Sequence, residues 1–141
     1  MYNSFFCDFS FLLERICRIK QIHRVRFLTS HPINFTESLI YLFKTEQKIS
    51  SFLHLPLQSG SNYILNKMKR IYTIKKYFFL IQRLKSVRKN MCFSTDLIIG
   101  FPGECHFDFL CTLRAIIISC FDYSYFFIYS KRFNTEAADF F

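Results

Sequence analysis

The chain has 141 residues, a net charge of +9 and only three glycines and three prolines, where average usage would give about ten and about seven. Twenty phenylalanines and a hydrophobic fraction of 51% exclude collagen-like, linker and Pro-rich low-complexity classes and argue against intrinsic disorder. The length suits one domain, or part of a larger one, with a real core. Taken in order, Phe5, Phe6, Phe9, Leu12, Leu13, Ile16 and Ile19 fall at helical spacing and predict an amphipathic helix over about residues 4–21. A short β-prone run, Arg24–Thr29, follows and stops at Ser30-His31-Pro32. Thr36–Lys44 reads as a helix with Asn34 or Thr36 as N-cap. Ser51–Leu55 is a second strand, ending at Pro56 and Gln58-Ser-Gly-Ser61. Two helices follow, Asn62–Met68 and Thr73–Lys89, the second with Ile74, Tyr77, Phe78, Ile81, Leu84 and Val87 on one face. Cys92–Ile99 is a third strand, broken by Gly100-Phe-Pro-Gly-Glu104, and a helix over about 106–119 leads into the last strand, Tyr123–Tyr129.

The order α-β-α-β-α-α-β-α-β defines an α/β class. Strands connected through helices run parallel, with right-handed crossovers. Every Gly or Pro stands just after a predicted strand, and a polar block, Ser130–Thr135, follows the last one. In parallel α/β folds ligands bind at the carboxyl ends of strands. One rim would therefore carry His31, Gln58, Ser59, Ser61, Glu104 and Arg132.

Each block has a functional and a structural reading. Ser59-Gly60-Ser61 would offer hydroxyls and N–H groups to an anion at a helix start, or would cap that helix. It is not a phosphate-binding P-loop, because G-x4-G-K-[ST] is absent. Gly100 would let a flat ligand approach the backbone and Gly103 would supply a positive φ; the same residues suit a tight turn with Pro102 at i+1 and Gly103 at i+2. Asp96 is out of place in an apolar strand, and is either a site residue or a strand-end group facing water. His31 and His54 serve as bases or ligands, or as hydrogen-bonded structural residues.

The charge is uneven. No acid stands between Glu46 and Asp96, while Lys67, Lys69, Arg70, Lys75, Lys76, Arg83, Lys85, Arg88 and Lys89 accumulate there. This is either a polyanion-facing surface or a solvated helix face. The six cysteines show no C-x2-C or C-x3-C spacing, so neighbours build no zinc knuckle or local iron–sulfur clip and no metal ligand is assigned. No uncharged apolar run reaches 18 residues and the N-terminus lacks a basic n-region. The expectation is a soluble, cytoplasmic chain that does not enter a membrane.

Five blocks in register carry a family resemblance: Arg26-Phe-Leu-Thr-Ser-His-Pro32, Phe52-Leu-His-Leu-Pro-Leu-Gln-Ser-Gly-Ser-Asn62, Leu65-Asn-Lys-Met-Lys-Arg70, Ser94-Thr-Asp-Leu-Ile-Ile-Gly-Phe-Pro-Gly-Glu104 and Tyr129-Ser130. Together they resemble the radical-SAM tRNA methylthiotransferases, specifically those that act on isopentenyladenosine next to the anticodon. The resemblance implies that residues 1–141 are a partial radical-SAM core domain: about four strands, the third to sixth, of a parallel (β/α) barrel. The family's N-terminal cluster domain, its cluster-binding first strands with their C-x3-C-x2-C loop, and its C-terminal RNA-binding β-domain have no counterpart here. It implies S-adenosylmethionine and, in the full-length family, [4Fe–4S] clusters as cofactors. By motif match Gln58, Ser59, Ser61, Asp96, Ile98 and Gly100 would bind S-adenosylmethionine, with His31 and Arg132 on the same rim. The implied partners are the tRNA anticodon stem-loop and a separate N-terminal fragment carrying the clusters. The chain alone would be catalytically silent; its alternatives are a non-catalytic RNA-binding remnant or a decaying gene fragment. Cys105 stands where the family has Thr, and Phe133-Asn134 where it has Pro-Gly.

Overall fold

The computed structural model describes residues 8–28 and 32–131. Short polar side chains start most helices by satisfying their free N–H groups. Asp8 accepts from the Phe11 amide at 2.8 Å to open α1 (Phe9–Cys17). Of the two candidate caps before α2 (Glu37–Thr45), Thr36 is the one used, accepting from the Leu39 amide at 3.3 Å. β1 (Phe52–His54) leads to α3 (Asn62–Lys67), capped by Ser61, and then to α4 (Ile74–Val87), capped by Thr73. β2 (Cys92–Ile99), α5 (His106–Ser119) and β3 (Tyr123–Ile128) complete the order.

The sheet is parallel throughout, in the order β1-β2-β3, with His54 opposite Ser94 and Asp96 opposite Tyr125. Of the about four strands expected, three form the sheet among the described residues. The Arg24–Thr29 run, described as far as Leu28, makes isolated parallel bridges, Val25 to Ile49 and Leu28 to His54, rather than a continuous ladder. It lies along the outer edge of β1, but a three-residue strand gives it too short a ladder to join.

Alternation along the strands separates two faces. Leu53, Phe93, Thr95 and Leu97 are fully buried, and the apolar ones share a core with Phe43 of α2, Tyr77 and Leu84 of α4 and Ala115 of α5. Two tyrosines bind this layer to the carboxyl end of β1: the Tyr77 hydroxyl donates to the Leu55 carbonyl at 2.6 Å and the Tyr72 hydroxyl to that of Leu57 at 2.9 Å. Burial pushes the Tyr72 phenol up to about 12. The opposite face carries Phe52, His54, Ser94, Asp96, Ile98, Tyr123, Tyr125 and Phe127, and none of the helices among the described residues covers it.

Candidate functional site

The loop after β1 is built against α5. A Cβ on Gly60 would stand 2.4 Å from the Cys111 carbonyl oxygen and 2.6 Å from the Thr112 Cα, so only glycine lets the loop run this close to the helix backbone. The Thr112 hydroxyl accepts from the Gly60 amide at 3.0 Å and lies 3.3 Å from the Ser59 hydroxyl. The Ser61 hydroxyl donates to Asp108 at 2.5 Å and, at the limit of hydrogen-bond length, accepts from the Ile64 amide as the cap of α3. Asp108 also accepts from the Cys105 amide and thiol. The Ser61 hydroxyl, before any other cause, holds its carboxyl below the usual value; the Cys105 groups and Lys67 act in the same direction. Ser59 and Ser61 are buried, and each has partners within the protein.

Gln58 adopts a left-handed backbone, φ 70°. Its amide donates to the Asp96 carbonyl at 2.8 Å and its carbonyl accepts from the Ile98 amide at 2.9 Å. The loop therefore rejoins β2 at the strand's carboxyl end, with Gln58 bridged to Leu97 and buried.

The loop after β2 is the tight turn that Pro102 and Gly103 predict: the Glu104 amide donates to the Phe101 carbonyl at 2.8 Å and Gly103 has φ 82°. Gly100, at φ 73°, differs from Gly60. Among the described residues nothing lies within 4 Å of where its Cβ would be. Its amide donates to the Glu104 carboxylate at 2.5 Å, and the second carboxylate oxygen of Glu104 is buried with no hydrogen-bond partner among the described residues.

On the uncovered face, His54 joins two strands. Its Nδ1 lies 2.9 Å from the Ser94 hydroxyl and its Nε2 3.3 Å from the Asp96 carboxylate. A carboxylate only accepts, so Nε2 carries a proton toward Asp96; Nδ1 accepts from the Ser94 hydroxyl when the ring is neutral and donates to it when the ring is charged. Asp96 thus has a partner and still keeps 28% of its side chain exposed. The Tyr125 ring stands 6.5 Å from that of His54.

Gln58, Ser59, Ser61, Asp96, Ile98 and Gly100 therefore gather toward one end of the sheet, with Gln58 and both serines buried and Asp96, Ile98 and Gly100 partly or fully exposed. His31 and Arg132 lie outside the described residues. Sequence reasoning left His54 open between two roles and did not single out Ser94, Asp108 or Thr112. The signal for His54 and Ser94 was a polar residue in one strand, His54, beside Ser94-x-Asp96 in the next, on one face of adjacent strands.

Residues 5–116 match the family model of the radical SAM superfamily. The chain belongs to that superfamily. Among curated proteins this radical SAM chain is 48% identical over 137 residues to the tRNA-2-methylthio-N(6)-dimethylallyladenosine synthase of Buchnera aphidicola subsp. Cinara cedri, covering 97% of the chain and 32% of that protein. It is 46% identical to the synthases of the same name from Yersinia enterocolitica and Neisseria meningitidis serogroup A, covering 98% and 94% of the chain and 29% and 30% of those proteins. The chain thus spans about a third of the length of these relatives.

Radical SAM chemistry requires an iron–sulfur cluster and S-adenosylmethionine. Among the described residues no group of three or more His, Cys, Asp or Glu could hold a metal ion, so they do not fit the cluster. Toward S-adenosylmethionine the rim offers backbone without a side chain at Gly100 and, four residues earlier in β2, the partly exposed carboxylate of Asp96 held by His54. No described helix is long and apolar enough to cross a membrane.

Proposed function

We propose that this chain is the S-adenosylmethionine-facing part of a tRNA methylthiotransferase core, acting on isopentenyladenosine next to the anticodon with clusters held by protein outside these 141 residues. In this reading the Arg24–Leu28 segment is the first of four barrel strands and the uncovered sheet face is the barrel interior. The observation that carries the proposal is the bare backbone of Gly100 just past the carboxyl end of β2, the strand that four residues earlier carries Asp96 in its pair with His54.

S-adenosylmethionine bound there supplies the radical and the methyl group of the family's reaction. The chain's own residues bind and orient it. The Ile98–Gly100 backbone lies flat against the adenine, where any side chain at position 100 would intrude. Asp96, held by His54, accepts from the hydroxyl or ammonium groups of the ligand, and Gln58 donates from the neighbouring strand end. Ser59 and Ser61 serve the site through the loop they hold against Thr112 and Asp108. His31 and Arg132 are assigned to the same rim by the order of the sequence blocks. The identity to the synthases along 94–98% of the chain supports the substrate assignment.

Anaerobic treatment of the 141-residue polypeptide with iron and sulfide is expected to give no stoichiometric cluster absorbance and no 5′-deoxyadenosine. Mixing it with the segment of the Buchnera synthase that precedes the matched region is expected to give both. A [4Fe–4S] cluster on the polypeptide alone would overturn the division of labour. A mixture that forms a cluster and leaves S-adenosylmethionine intact would overturn the site.

A further inference from the structure

The cations from Lys67 to Arg88 separate into two groups. Arg83 pairs with Glu37, Lys85 donates to the Ser119 carbonyl and Arg88 donates to the carbonyls of Ile49 and Glu46. These three are structural cations. The other group gathers where α3 passes into α4, and this junction belongs to the rim. Tyr72 is bonded to the loop after β1, the Ile74 amide donates to Asn62 at 2.9 Å, and the Lys67 ammonium lies 2.3 Å from where a Gly103 Cβ would stand.

Local physics disfavours cations in this junction. α3 ends with the Arg70 amide on the Leu65 carbonyl and the Lys69 amide on that of Asn66, the paired closure that calls for glycine in the left-handed position. Lys69 occupies it instead, at φ 57°. Lys75 and Lys76 sit in the first turn of α4, which holds no acid, at the end of a helix where positive charge is unfavourable. Lys69, Lys75 and Lys76 are all exposed. Tyr63 is exposed beside them, with the Lys67 ammonium 4.9 Å from its ring centre. Among the described residues Asp108 bonds Ser61 and Cys105, and Glu104 bonds the Gly100 amide.

We infer that the α3–α4 junction is the surface that holds the phosphodiester backbone of the substrate RNA at the rim. Lys69, Arg70, Lys75 and Lys76 meet the phosphates, and Tyr63 offers its ring to a base or ribose. Clustered cations displace counterions from RNA, and an exposed aromatic adds stacking that tolerates any sequence. The inference rests on the proposed function, because it takes RNA as the ligand of this rim.

The test is fluorescence anisotropy of the full chain with a labelled anticodon stem-loop RNA across a salt series. Lys69→Glu with Arg70→Glu is expected to weaken binding about tenfold at about 0.1 M salt and to flatten the log–log salt slope by about 1.4, the value of two phosphate contacts. Lys44→Glu with Lys20→Glu, exposed cations outside the junction, should leave the slope unchanged. Lys69→Gly separates binding from folding: it removes the charge and relieves the left-handed backbone, so it should raise the melting temperature and still weaken RNA binding. Equal losses in the junction and control pairs, a Lys69→Gly chain that binds as tightly as the parent, or no salt-dependent binding by the parent would each overturn the inference. 5′-Deoxyadenosine formation in the reconstituted mixture needs no RNA and decides the proposed function separately.

Discussion

Gly60 and Gly100 show how one residue type serves opposite ends. At Gly60 the missing side chain admits the backbone of α5; at Gly100 it leaves space unfilled. Gly60→Ala is therefore expected to destabilise the chain by about 1–3 kcal/mol, since backbone must move to admit the methyl group. Gly100→Ala should cost less in folding, paying only the strain of positive φ, while weakening S-adenosylmethionine binding. Urea unfolding of both variants checks this order; equal stabilities would contradict it. Asp108 carries a pH signature. Its folded carboxyl titrates below its ordinary 3.8, so its contribution is fully present above that value and fades as pH falls through the folded one. Asp108→Asn should lower stability at neutral pH and flatten the acid limb of the stability curve; a parallel limb would place the acid sensitivity elsewhere. Cys105 starts α5 without a side-chain cap bond of its own. Cys105→Thr is expected to stabilise by about 0.5–1 kcal/mol in thermal melts, because a hydroxyl accepts from the first turn better than a thiol.

At the scale of elements, the sequence pattern was legible wherever local chemistry decided the outcome. β2 spans Cys92–Ile99 and α5 spans His106–Ser119, as predicted, because turn residues bracket them. α1 is shorter than its apolar repeat, ending at Cys17, and the part of its predicted range before Phe9 lies largely outside the described residues. The strand expected at Arg24–Thr29 needed a long neighbour, and a three-residue β1 is not one. The site was half legible for the same reason. Gln58, Asp96 and Gly100 stand out in the sequence by type and position, whereas the bonds of Ser59 and Ser61 reach α5 about 50 residues away. No local pattern announces such partners. β3 is the element least served by its surroundings: Tyr123, Tyr125, Phe126, Phe127 and Ile128 are all exposed, Ile128 by 88%. An apolar edge strand promotes association. Ile128→Lys is expected to reduce concentration-dependent association in sedimentation velocity without lowering the melting temperature; unchanged association would mean that another surface is responsible.

At the scale of the molecule, the described helices cover one face of the three-stranded parallel sheet and leave the other open, and the proposed site lies along one rim. That asymmetry suits a sheet that closes around a ligand together with further protein, and the relatives are about three times longer than this chain. The most direct measurement is a chimera in which this sequence replaces the matched region of the Buchnera synthase, expressed in a strain lacking its own synthase. Mass spectrometry of digested tRNA is expected to show the 2-methylthio group with the chimera and to lose it with Asp96→Asn or Gly100→Val. A chimera present at the level of the native enzyme that leaves the tRNA unmodified would contradict the account and mark the chain as a remnant that has lost its site.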